Sequence, residues 1–140
     1  PDGSVNTFAG PLPSMVLSDG YADGVGSVVR FKQPLQLCLH QTSHTLYVSD
    51  SQNYVIRAIS VSTGVVSTLA GTVGVYGTND GVGTAARLWF PRAIAVRQST
   101  GILYLLDTGS VVRTIQPTGE VETVQGFGAV GRDGNVDGTG

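Results

Sequence analysis

Two acid-base pairs recur in this 140-residue chain, Asp50 with Arg57 and Asp107 with Arg113. Each spans a short turn between two runs of β-forming residues, so a carboxylate at one strand end is set near a guanidinium in the next strand. A catalytic pair has to differ from its repeat mate, and these two copies agree. Their expected use is structural: the Asp accepts N–H groups of the turn, and the Arg reaches a carboxylate or carbonyls of a neighbouring unit. Five further carboxylates, Asp19, Asp23, Asp80, Asp133 and Asp137, each precede a glycine. Hard cations favour such groups, but DGYADGVG lacks the alternating acids and distal Glu of a calcium-binding helix-loop-helix. These Asp-Gly pairs read as turns, and no cofactor is expected. A calcium ion held in a channel by backbone carbonyls alone would leave no mark in the sequence.

His40 and His44 have the four-residue spacing of metal ligands, yet that spacing puts two side chains on one face only in a helix. They flank QTS in what reads as a strand-to-strand loop, and the chain has no third histidine, so no metal site is expected. The single cysteine, Cys38, lies in the apolar run LQLCLH and reads as a buried structural thiol, with an intermolecular or reactive thiol as the other possibility. There is no G-x-S-x-G, no nucleophile with a base at recognisable spacing, and GVGT is not followed by the Lys and helix of a phosphate loop. The expectation is a protein without catalytic activity.

Composition narrows the class further. A net charge of −2, with scattered basic residues, gives no footprint for a phosphate backbone, so nucleic acid is disfavoured as a partner. Hydrophobic content of 41% against 13% charged residues excludes general disorder. No apolar run is long enough to span a bilayer, so no membrane partner is expected. The lack of N-x-[ST] acceptors and of cysteine pairs leans towards an intracellular setting.

The elements that must position these residues are periodic. The stretch DGVGTAARLWFP at 80–91 is a near copy of DGVGSVVRFKQP at 23–34, displaced by 57 positions, and Asp137 with Gly138 opens what reads as a third copy. Between the copies lie four short β-like runs, at 35–40, 45–50, 54–60 and 65–70, and the same order returns at 93–97, 102–107, 111–115 and 121–124. Arg57 and Arg113 are only 56 positions apart because the second turn is one residue shorter. GSVNTFAG near the start matches GVVSTLAG at 64–71 and GEVETVQG at 119–126. A period of this length marks stacked repeats, and four strands per unit is the count for a propeller blade. The fold class is all-β, with blades of four antiparallel strands. Residues 1–10 form the end of one blade, 34–71 and 91–126 are blades, and 11–33, 72–90 and 127–140 are connectors.

The pattern of PRAIAV at 91–96, Leu103-Tyr104, Asp107, Val112-Arg113 and GEVETVQG at 119–126, echoed in the preceding unit, resembles the NHL repeat. That resemblance covers nearly the whole chain. It implies a β-propeller, usually six-bladed when complete, so that the remaining blades come from the rest of a longer chain or from other copies; three copies would close a six-bladed ring. It also implies a range of roles. The leading expectation is a non-catalytic protein or peptide interaction scaffold. One alternative is a fragment of a metal-dependent, amidating-lyase-like enzyme whose active-site blades lie elsewhere, and a second is an RNA-binding module.

If strands alternate in direction outward from the axis, the connectors and the turns between second and third strands share one face. The candidate partner-binding residues are then Tyr21, Arg30, Lys32, Gln52, Asn53, Tyr54, Tyr76, Asn79, Arg87 and Trp89. Residues 40–44 and 99–101 would sit on the opposite face, and the strands at 35–40 and 93–97 would line the channel. Pro34 and Pro91, with Asp50, Arg57, Asp107 and Arg113, are structural repeat positions. Phe31, Trp89 and Phe90 are expected to fill the wedge between blades; the other reading has Trp89, with Arg87 and Arg92, anchoring a partner.

Overall fold

A computed structural model describes residues 3–11, 19–108 and 111–124, and the third repeat copy at Asp137 lies outside them. The described chain forms two antiparallel sheets. The first contains β1 (Gly24–Val25), β2 (Pro34–His40), β3 (Thr45–Asp50), β4 (Val55–Ser60) and β5 (Val65–Gly71), in the order β1-β5-β4-β3-β2. The second contains β6 (Gly81–Val82), β7 (Ile94–Val96), β8 (Leu103–Asp107), β9 (Val111–Ile115) and β10 (Glu120–Thr123), in the order β6-β10-β9-β8-β7. The two orders are the same, so the 57-residue period of the sequence is the period of the fold. The sheets are blades of a β-propeller.

To the four strands expected in each unit the connector adds a fifth. Gly24 and Val25 pair with Val66 and Val65 at the outer edge of the first blade, and Gly81 and Val82 pair with Val121 and Glu120 in the second. The Asp-Gly pairs thus do more than turn the chain. At Gly81, with φ of 159°, backbone atoms of Ala85 lie 3.0 Å from where a Cβ would stand, because a 3-10 turn at Gly83–Ala85 folds back immediately. A side chain there would collide with it. The outer edge of each blade is covered by its own incoming connector, which blunts an otherwise open strand.

Alternation along the strands divides each blade into two faces. In β3, Tyr47 joins Ile56 and Ala70 against Ile94, Leu103, Leu105, Ile115 and Val121 of the second blade, with Ala86 and Leu88 of the connector between them. Val48 points the other way, to a smaller cluster with Val29, Ile59 and Val66, flanked by Ala9 and Phe31. Polar bonds seal the seam at both ends. On the connector side, Ser49 Oγ donates to Arg92 O (2.8 Å) and the Ile94 N–H donates to Gln36 Oε1 (3.2 Å). On the opposite side, Gln98 Nε2 donates to Leu39 O (2.7 Å), and its Oε1 accepts the Gln41 N–H (2.9 Å). Gly119 carries the outer turn of the second blade so near the first that a Cβ would lie 2.6 Å from Leu69 O.

Register equivalence relates the two outward sides of the described pair. Ile94 is 2% exposed under the first blade, whereas Leu37, its counterpart 57 positions earlier, is 60% exposed. Tyr47 is 6% exposed under the second blade, while its counterpart Tyr104 is 41% exposed. The inner and outer sides of the described pair are therefore the two halves of one kind of seam. In the full-length protein, Ile94→Ala should lower the unfolding free energy by about 2–5 kcal/mol, measured by urea denaturation. Leu37→Ala should cost a comparable amount if a further blade covers it; a cost below about 1 kcal/mol would show that the position stays open.

Candidate functional site

The repeated acid-base residues form one network per blade. Arg57 is fully buried in the middle of the first sheet, so its guanidinium must find acceptors within the protein. Its Nη1 donates to Asp50 Oδ2 (2.9 Å) and Arg30 O (3.0 Å), and its Nη2 to Asp23 Oδ1 (2.6 Å) and Ala22 O (2.8 Å). Asp50, also buried, accepts the Lys32 N–H (2.7 Å) and Asn53 Nδ2 (2.8 Å). Arg113 repeats the plan, with Nη1 donating to Asp107 Oδ2 (3.2 Å) and Arg87 O (2.6 Å), and Nη2 to Asp80 Oδ1 (2.6 Å). Asp107 accepts the Trp89 N–H (2.9 Å) as Asp50 accepts that of Lys32. Arg113 Nε, however, is buried without a partner, where Arg57 Nε donates to Asp23 (3.1 Å).

Burial pushes the Asp50 carboxyl up from its ordinary value, opposed by the bonds from Asn53, the Lys32 N–H and Arg57. Asp107 is pushed up for the same reason, opposed by the Trp89 N–H and Arg113. At Asp80 slight burial acts in that direction too, but the Thr123 N–H, Arg113 and the Thr123 hydroxyl outweigh it and hold the carboxyl below its usual range.

Several candidate partner-binding residues are committed to this framework. Asn53 is 5% exposed and gives its amide to Gly20 O (2.7 Å) and Asp50. The Arg30 guanidinium donates to Ser27 O and Val29 O, and that of Arg87 to Thr72 Oγ1, Thr84 O and Ala86 O. Tyr21 lies against the Arg57 guanidinium (4.8 Å to the ring centroid), which Phe31 flanks at 5.0 Å, and its hydroxyl bonds to Asp23 and Thr68. Gln52 and Asn79 are exposed and Lys32 half-buried. On the other face His40 bridges Ser43 Oγ (2.7 Å) and Gln98 O (3.1 Å) through its two ring nitrogens. Among the described residues no three metal-ligating side chains converge. Burial pushes the half-buried Cys38 thiol up to about 11, and the side chain packs toward the inter-blade core.

Three candidates do come together. Tyr54 and Tyr76 have ring centroids 5.8 Å apart, Tyr76 and Trp89 5.5 Å, and Phe90 joins at 6.4 Å from Tyr54. The wedge-filling expectation is corrected for Trp89: the buried wedge residue is Leu88, at 0% exposure, while Trp89 is 48% exposed. The reason is geometric, since the Trp89 N–H is tied to Asp107 and Phe90 then turns through φ of 64°, which lifts both rings onto the face. The result is a shelf of four aromatic rings at the seam, with Arg92 lying over Phe90 at 5.8 Å. Phe90 was not among the candidate contacts, and Arg92 entered only in the reading that has it anchor a partner with Trp89 and Arg87, yet a signal was present: Gln33 and Leu35 stand at the equivalent positions.

No family model matches the chain. It is 30% identical over 111 residues to NHL repeat-containing protein 2 of Bos taurus, a match covering 78% of this chain and 15% of that protein. The repeats belong to the NHL family. The NHL-repeat chain is also 38% identical over 98 residues to the Arabidopsis thaliana Protein SUPPRESSOR OF QUENCHING 1, chloroplastic, covering 69% of this chain and 9% of that protein. It thus spans less than a sixth of these curated relatives' length. Among solved structures, a putative phosphatase from Bacteroides thetaiotaomicron superposes with a TM-score of 0.66 at 24% identity, over 85% of this chain and 27% of that one. An auxiliary nutrient binding protein from Bacteroides ovatus gives 0.57 at 22% identity, over 77% and 26%. Both likenesses speak to the propeller fold alone.

Two outcomes follow from the networks. Arg57→Met leaves Asp50 buried and unpaired and should destabilise by about 3–5 kcal/mol, whereas Asp23→Asn, at a half-exposed partner, should cost about 1 kcal/mol or less; urea denaturation separates them. Because the Asp80 carboxyl is held below 3.8, its contribution is present above that pH and is lost as pH falls through and below it. The stability difference between the wild type and Asp80→Asn should therefore shrink on acidification below 3.8 and be largest near neutrality.

Proposed function

We propose that this NHL-repeat segment is a non-catalytic interaction module that holds a protein or peptide on the shelf formed by Tyr54, Tyr76, Trp89 and Phe90. The observation that carries the reading is a contrast within the chain itself. Residues that recur between the two units, the Asp and Arg pairs and the blade cores, have structural work. The residues of the shelf do not recur. Tyr76, Trp89 and Phe90 stand where the preceding unit has Asp19, Lys32 and Gln33, and Tyr54 falls in the turn that is one residue shorter in the second blade. Departures from the repeat, scattered over 36 positions of sequence, meet in one patch.

Two further features support it. Tyr76 is 61% exposed and Trp89 48%, although together they offer the large, rigid, amphipathic area typical of interface anchors. Tyr54 holds a left-handed backbone conformation, with φ of 59°, whereas that of Phe90 (64°) recurs at its counterpart Gln33 (51°) and belongs to the repeat. For non-glycine residues such conformations cost about 1 kcal/mol or more each and cluster at functional sites. Loops fixed by a rigid sheet framework are where propellers and other repeat folds place recognition.

A photo-reactive phenylalanine placed at position 76 of the full-length protein, in extract of its native source, should yield a discrete protein adduct. The same probe at Val61, on an exposed turn outside the shelf, should yield none. Trp89→Ala should diminish the adduct at least severalfold, whereas Tyr21→Ala, away from the shelf, should leave it. Equal labelling from both positions, or indifference to Trp89→Ala, would overturn the reading.

A further inference from the structure

Building on the shelf as a binding surface, we infer that its partner is an acidic, proline-bearing extended peptide whose rings lie on Tyr76 and Trp89 and whose carboxylate pairs with Arg92. The inference rests on how the charges of this face are distributed. In each unit two aspartates stand with two arginines: Arg57 ion-pairs with both Asp23 and Asp50, and Arg113 with both Asp80 and Asp107, while the Arg30 and Arg87 guanidiniums donate to backbone carbonyls. Each set is neutral in itself. Arg92 falls outside this arrangement. It is exposed, it lies 5.8 Å from the Phe90 centroid, and it makes no ion pair among the described residues. Its counterpart in the first unit is Leu35, so the cation is as particular to this seam as the aromatic rings are. A guanidinium placed over a ring and in no ion pair keeps N–H donors for a planar, bidentate acceptor, which a carboxylate supplies.

The backbone of the shelf points to recognition through side chains. The Trp89 N–H is bonded to Asp107, Trp89 O accepts the Thr108 N–H, and the Tyr54 N–H is bonded to Ser51 O. No free strand edge is offered there, so a peptide cannot add as a further strand. What remains outward is ring surface, together with the Tyr54 and Tyr76 hydroxyls and the Trp89 indole N–H, none of which has a hydrogen-bond partner among the described residues. Proline-rich extended segments are recognised by such surfaces, because they arrive already ordered and present rings without backbone donors. A nucleic acid would also stack on aromatic rings, but it needs a track of cations. Among the described residues the cation over the shelf rings is Arg92, and the exposed carboxylates of Asp23 and Asp80 share the face, so no such track forms.

Two fluorescein-labelled peptides test this, one of repeated Pro-Pro-Glu and one of repeated Pro-Pro-Lys, titrated by fluorescence anisotropy against the full-length protein. The acidic peptide should bind about tenfold more tightly or better, as expected for one charge-assisted pair, with the preference shrinking as salt is raised. Arg92→Glu should reverse the preference, and Arg92→Gln should abolish it while leaving the weaker binding common to both peptides. Trp89→Ala should weaken both peptides alike. Equal affinity for the two peptides, no binding of either, or a preference unchanged in Arg92→Glu would overturn the inference. Tighter binding of a short oligothymidylate than of the acidic peptide would also overturn it. An adduct at position 76 without any preference for the acidic peptide would leave the shelf as a binding face and remove only the acidic partner.

Discussion

A guanidinium sealed from water has to satisfy its charge and its donors inside the protein, and in each blade that demand ties the chain together. Arg57 and Arg113 sit at the centre of their sheets with no exposure at all. Each holds an Asp at the end of the neighbouring strand, a second Asp in the incoming connector, and a backbone carbonyl just before the wedge residues. Three segments distant in sequence are thereby fixed to one point. Desolvating such charges is costly, so the network's contribution lies less in net stability than in specifying one arrangement of connector on blade.

That arrangement decides what reaches the surface. By accepting the N–H two residues before the repeat proline, Asp50 and Asp107 set the path along which Lys32 and Trp89 leave the blade. In the first unit the path delivers a lysine and a glutamine; in the second it delivers a tryptophan and a phenylalanine beside the arginine that follows Pro91. The framework is common and the residues it displays are individual. Equivalent bonds with unlike side chains at their outer end are what a repeat scaffold adapted at one seam would show.

The sequence was most legible where geometry is repeated. The period, the four strands of each unit and the pairing of Asp50 with Arg57 were all readable, because two copies in one chain report a shared constraint. The fifth strand was not. Gly24-Val25 and Gly81-Val82 are too short to show alternation, and their Asp-Gly steps carry the same signature as a plain turn. Trp89 was misplaced in the wedge because sequence does not say which of Leu88, Trp89 and Phe90 turns inward. The answer depends on the hydrogen bond from Trp89 to Asp107, made across 18 positions. The meeting of Tyr54 with Tyr76 is likewise a product of how one connector folds over the preceding turn.

Leu37 and Leu39 on one side and Tyr104 on the other give the described pair of blades a socket and a plug of the same gauge. Surfaces of this kind are self-propagating: any unit that ends in the plug accepts another that begins with the socket. Whether such a series terminates is set by rotation. If the turn per blade divides the circle, the last plug meets the first socket and no apolar surface is left over; if not, the same contacts continue as a helical filament. The angle between blades at the seam, where Leu88 is buried and Gly119 passes close to Leu69, therefore decides between a closed ring and a filament.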